Sequence, residues 1–195
     1  MTNPRLTALR EHTRAEHLRL EQHLNLLRAD FSLTQYADLL KGFLGYYRPL
    51  EQRLLALTAI RDWVPDYDQR VKTPLLVQDL TILGYDAACL ANLPSCPALP
   101  DCHDRSRVMG SLYVLEGSTL GGQMLQRHFK RQLALEEHQG LTFFTGYGPD
   151  TPTRWKQFGA WLEQGPLDES VLLATARQTF LSLEGWFTTD LKTLP

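Results

Sequence analysis

Two groups of residues carry the chemistry in this chain. One is His17 with Glu21, four residues apart and so one helical turn apart. The other is Gly117, Gly121 and Gly122, inside "GSLYVLEGSTLGGQML", residues 110–125. His17 falls on an apolar stripe made by Leu6, Leu9, Thr13, His17, Leu20, Leu24 and Leu27; His12 and His23 fall off it. A histidine so placed is usually a core residue with both nitrogens satisfied; the sharper reading is a metal or haem ligand, since neutral imidazole is the commonest metal ligand. A carboxylate one turn away that accepts the other ring N–H would fix the tautomer and strengthen the ligand. His–Glu at this spacing is common in helices and fits both readings.

The three glycines interrupt a stretch whose apolar spacing is helical. Each costs roughly 1 kcal/mol against Ala in a helix interior. Together they cost about 3 kcal/mol, a large share of a net stability of about 5–15 kcal/mol. One return is close packing of a second helix. The other is room for something flat and wide against bare backbone, and a porphyrin fits because a Cβ would hold its plane away. Basic residues matter if that ligand is anionic. Arg10 lies two turns before His17 on a similar face, Arg154 and Lys156 sit in "TRWKQF", and Arg177 lies in the last helix. They are solvated surface charges, or partners for the two propionates of a haem. No phosphate loop, nucleophile elbow, HExxH, EF-hand or repeated Glu-x-x-His pattern is present.

The elements that must position these residues read as helices throughout. The first is predicted from Asn3-Pro4 to about Arg28, with Pro at its first position. Ser32 and Gln35 form a capping-box pattern that opens a second helix, in which Pro49 predicts a kink near Tyr46. Residues 67–91 read as shorter helices broken at Gly84, and "NLPSCPALPDC" as a loop. The glycine-bearing helix runs from about Asp104 to Leu135, and "GLTFFTGYGPDTPT" is a second loop. Thr151-Pro152 starts the next helix, and Asp168 caps the last, which runs to Leu191. The fold class is all-α, six or seven helices in one bundle-like domain over residues 1–195.

Composition agrees. The chain has 195 residues, 43% hydrophobic and 22% charged, enough for one real core. A net charge of -2 with mixed signs gives no basic stripe for nucleic acid. Cys89, Cys96 and Cys102 are odd in number and lack CxxC spacing, which points to a reducing cytoplasm. No stretch approaches the ~18 apolar residues of a spanning helix, so no membrane partner is expected.

Two segments together resemble a known family. "LREHTRAEHLRLEQ" is similar to the first-helix segment LxxxTxxxHxxxE of haem oxygenases, and "YVLEGSTLGGQ" to their distal helix with GxxxGGQ. The second is most similar to bacterial members associated with bacteriophytochromes. Order, separation and length agree over essentially the whole chain. The resemblance implies a single-domain haem oxygenase-like bundle that cleaves haem with O2 to biliverdin, CO and ferrous iron. Haem b would be both cofactor and substrate. Electrons would come from a separate reductase or ferredoxin, since no flavin or iron–sulfur motif is visible, and a bacteriophytochrome is a candidate acceptor of biliverdin.

Carried across, His17 is the proximal iron ligand and Glu21 its partner. Gly117, Gly121 and Gly122 are the distal backbone facing the porphyrin. Arg10 and Lys156 match basic residues near the propionates; Arg154 and Arg177 are added from charge and location alone. One departure stands out. Many members have Asp directly after the first distal glycine, where it organises proton-donating water; here it is Ser118. The proton route is then open among Ser118, Glu116, Gln123 and bound water. Three rivals remain: a haem binder or sensor without turnover, another enzyme of the same fold such as the thiaminase-like or pyrroloquinoline-quinone synthesis branches, and a purely structural bundle.

Overall fold

A computed structural model of the chain describes residues 3–135 and 139–190. Asn3 opens the first helix. Its side-chain oxygen accepts the Leu6 N–H at 2.8 Å, and Pro4 takes the first position, where a missing N–H leaves nothing unpaired. The helix ends sooner than its apolar stripe predicts. α1 (Pro4–His12) stops at Thr13, whose hydroxyl and N–H both turn back to the Leu9 carbonyl, at 2.8 and 3.0 Å. α2 (Arg14–Leu24) restarts there and closes on Asn25 at φ 40°, a left-handed conformation that Asn tolerates.

That break turns the stripe. Leu9, Thr13, Glu16 and Leu20 face the core, while His17 is exposed and Leu27 is 50% exposed. The expectation of a buried His17 is thus corrected: Glu16 holds the inward position, and Arg177, far along the chain, makes its burial tolerable.

α3 (Leu33–Leu55) starts at the predicted capping box, with Ser32 and Gln35 exchanging hydrogen bonds of 3.2 and 2.9 Å. It continues through Pro49 without a break. Pro49 has no N–H for the Gly45 carbonyl, which instead accepts the Cys96 N–H at 2.9 Å. Gly45 must be glycine here, because a Cβ would lie 2.6 Å from both the Pro94 oxygen and the Trp186 ring. The Pro-rich loop is therefore seated directly on α3.

α4 (Ile60–Trp63), a 3-10 turn at Tyr67–Gln69, α5 (Thr73–Ile82) and α6 (Ala87–Ala91) follow, with the break at Gly84, φ 96°. Two buried carboxylates cap helix starts. Glu51 accepts the N–H groups of Lys72 and Thr73 at 2.6 and 2.9 Å, and Asp79 accepts those of Thr142 and Phe143 at 2.9 and 2.7 Å. Burial pushes both carboxyls above their ordinary range, against those bonds. The Asp79 bonds give the loop at 140–153 more structure than expected, with α8 (Thr142–Thr145) and a 3-10 turn at Gly148–Asp150.

α7 (Arg105–Leu133) springs from an Asp104 cap, α9 (Thr151–Glu163) from Thr151-Pro152, and α10 (Glu169–Gly185) from Asp168, which accepts the Val171 N–H at 3.1 Å. α10 runs on into a π-helical turn at Trp186–Asp190; the predicted end at Leu191 lies outside the described residues. Among the described residues there are seven helices of nine residues or more and no strand. α10 is the organiser, with its widest contact on α7 and further contacts on α1 and α2. No helix among the described residues is long and apolar enough to cross a membrane.

Candidate functional site

α2 and α7 both pack on α10, and each contributes one half of the candidate site. From α2, His17 extends with 53% of its side chain exposed. One side of the ring rests on Phe180 of α10, T-shaped, with centroids 5.6 Å apart and planes at 83°. Glu21 is on the same face, its Oε1 3.7 Å from His17 Nε2. That is beyond hydrogen-bond distance, so the predicted pairing is a neighbour and not yet a bond.

From α7, the glycines divide into different roles. A Cβ on Gly121 would meet nothing within 4 Å, and a Cβ on Gly117 would only touch the Trp155 ring at 3.7–3.8 Å. A Cβ on Gly122 would lie 2.6 Å from the Phe144 carbonyl oxygen. Gly122 therefore admits the 142–145 turn, while Gly121 leaves open space over the helix. Leu120 and Met124 beside Gly121 are exposed, at 47% and 52%.

Ser118 lies between Gly117 and Gly121. Its hydroxyl donates to the Leu115 carbonyl at 2.8 Å and is 3.1 Å from the Tyr47 hydroxyl. Since the single Ser118 proton goes to Leu115, the Tyr47 O–H donates to Ser118. Burial raises the Tyr47 phenol and keeps it protonated. Sequence reasoning missed Tyr47, because a tyrosine on the apolar face of α3 reads as core.

Two other candidates for proton delivery are engaged elsewhere. The Glu116 carboxylate, buried, accepts from Arg70, from Lys72 Nζ at 3.3 Å and from Tyr147 at 2.8 Å. Gln123 donates to the Gly148 carbonyl at 2.9 Å. Among the basic residues, Arg154 binds Asp66 at 2.5 Å and Gln69 at 2.8 Å, so it braces that buried network. Arg177 donates from Nε to Glu16 at 2.8 Å and holds the Glu16 carboxyl below its usual range. Both arginines singled out by charge alone are thus ion-paired within the protein. Arg10 on α1 and Lys156 on α9 are exposed. Arg10 acts on Tyr113 of α7, whose phenol burial raises while a Thr13 hydrogen bond and the Arg10 charge oppose.

This donor set fits a haem. One exposed imidazole suits an axial ligand, the ground over Gly121 is free of side chains, and Arg10 and Lys156 are cations for propionates. No cluster of three His, Cys, Asp or Glu suited to a bare metal ion occurs among the described residues.

Comparison with known proteins gives one family. Residues 4–189 match the family model described as heme oxygenase. A heme oxygenase of Xanthomonas campestris is 31% identical over 112 residues, which are 54% of this chain and 61% of that protein. The match therefore spans less than two thirds of that relative. The solved heme oxygenase of Leptospira interrogans superposes with a TM-score of 0.77 at 20% identity, covering 94% of this chain and 98% of that one. The NO- and CO-bound heme oxygenase of Neisseria meningitidis gives 0.75 at 19% identity, over 95% and 94%. At those identities the two structures speak for the all-α fold.

Proposed function

The chain belongs to the haem oxygenase family, and from that premise we propose that it binds haem between α2 and α7 and degrades it to biliverdin, CO and ferrous iron. The observation that carries the reading is that two helices packed on α10 carry, one, an exposed imidazole at His17 and, the other, a glycine at Gly121 whose added Cβ would meet nothing within 4 Å.

Bound haem is the substrate and supplies the iron at which O2 is activated. The protein residues do the rest. His17 would be the ligand to the haem iron, and Glu21, one turn away, would orient its ring. Gly117 and Gly121 give the distal face bare backbone, which crowds without offering a second ligand. Arg10 and Lys156 hold the propionates. In place of an acid, the Tyr47 and Ser118 hydroxyls form an ordered pair, Tyr47 to Ser118 to the Leu115 carbonyl. The second lone pair of Ser118 is left to accept from a water, which that bond would orient to pass on protons drawn from solvent. Electrons come from an external reductase or ferredoxin. None of Cys89, Cys96 and Cys102 is in a disulfide, which suits a reducing cytoplasm, and a bacteriophytochrome is one acceptor for the product.

Haem binding without turnover is the second reading, favoured only by Ser118 where many relatives have an acid. One experiment separates the two. Hemin is titrated into wild type and His17→Ala, then ascorbate is added under air. A Soret band saturating at about one haem per chain, altered in His17→Ala, followed by biliverdin absorbance, is the expected result. A saturating band without biliverdin supports the binder. No saturating band in wild type overturns both.

A further inference from the structure

Resting on that reading of His17, we infer that Phe180 is a positioning residue for the proximal ligand: its ring sets the plane in which the imidazole meets iron. Three rungs join α2 to α10, and they climb both helices in step. Glu16 pairs with Arg177 at 2.8 Å, His17 meets Phe180, and Arg19 grips Glu184 through Nε and Nη2 at 3.2 and 3.0 Å. The outer rungs are ion pairs and fix how far α2 is rolled about its axis. With the roll fixed, the His17 ring keeps rotation about Cα–Cβ, confined to staggered wells, and rotation about Cβ–Cγ, which is broad for a side chain of this type.

Phe180 restricts that freedom. It is 5% exposed and belongs to the core, so its own ring is held by packing. The contact is T-shaped at 83°, the arrangement in which the edge of one ring meets the face of the other. Turning the imidazole would lose that geometry. The Glu21 carboxylate, at 3.7 Å on an exposed helix face, is too loosely held to set the plane alone. The ion pairs thus place the Cα of the ligand, and Phe180 places its ring.

The test uses the full chain loaded with haem. Phe180→Leu keeps apolar bulk and removes the ring, Phe180→Tyr keeps the ring, and Phe180→Met repeats the loss with a flexible side chain. The readout is the iron–histidine stretching band in the resonance Raman spectrum of the ferrous complex. The band is expected to broaden or shift in Phe180→Leu and Phe180→Met and to return in Phe180→Tyr. Hemin affinity is expected to fall about two- to tenfold, the range of one aromatic contact. A merely structural role would lower the melting temperature and leave the band alone. Wild-type and Phe180→Leu bands of the same position and width overturn the inference while haem binding stands. A wild type that takes up no haem, or a band that survives His17→Ala, overturns the assignment of His17 itself.

Discussion

A Cβ placed on Gly122 would sit 2.6 Å from the Phe144 carbonyl oxygen, whereas one placed on Gly121 would touch nothing within 4 Å. Neighbouring glycines of one helix should therefore respond in opposite ways. Gly122→Ala forces backbone apart and is expected to destabilise the protein without haem by about 1–3 kcal/mol. Gly121→Ala replaces glycine in the interior of α7 at no steric cost and is expected to stabilise it by about 0.5–1 kcal/mol. Haem should report the reverse side of that gain, because a side chain at Gly121, Leu above all, occupies ground the porphyrin needs. Urea unfolding and a hemin titration of each variant check the pair. Gly121→Leu with wild-type haem affinity and turnover would sink the distal assignment. The two roles were not separable in the sequence, where "GG" reads the same twice; only the approach of the 142–145 turn distinguishes them.

Helix starts were legible because their signals are local. Ser32 with Gln35, Asp104 and Asp168 each cap a helix whose start they mark, within three residues of the N–H they bind. The roll of α2 was not legible, because it depends on partners about 160 residues away. The apolar stripe points His17 inward, yet the break at Thr13 and the arginine on α10 bring Glu16 in instead. The buried Glu116 cluster is hidden for the same reason, since Arg70 and Lys72 are far from it in the chain. The α2–α10 clamp has a pH signature. Arg177 lowers the Glu16 carboxyl, so the folded state holds that charge to lower pH than the unfolded chain does. The stabilisation is fully present above the ordinary carboxylate pKa, about 4.3, and is lost as pH falls below it through the depressed folded value. Glu16→Gln should therefore melt below wild type at neutral pH, with the gap closing under about pH 4. A gap of the same size from pH 7 to 3 would remove the ion pair as the cause.

At the scale of the whole molecule, one core serves both halves of the site. Trp186, at the end of α10, donates to the Gly42 carbonyl of α3 at 2.7 Å, and α10 also packs on α1, α2 and α7. A ligand bridging α2 and α7 across that shared helix should stabilise everything at once. We propose on this ground that the described residues form one cooperative unit. Helical circular dichroism and the fluorescence of the four tryptophans should then fall in a single coincident transition. Haem at about 100 times its dissociation constant adds about 2.7 kcal/mol. For a domain of about 150–250 residues each kcal/mol moves the midpoint by about 2–4 °C, so haem should raise it by about 5–10 °C. His17→Ala should forfeit much of that rise while melting within a few degrees of wild type without haem, since its half-exposed ring gives up one aromatic contact, on the order of 0.5–1.5 kcal/mol. Separate transitions for the two probes would mean that the helices do not unfold as one body. A single transition that haem leaves unmoved would mean that nothing bridges α2 and α7.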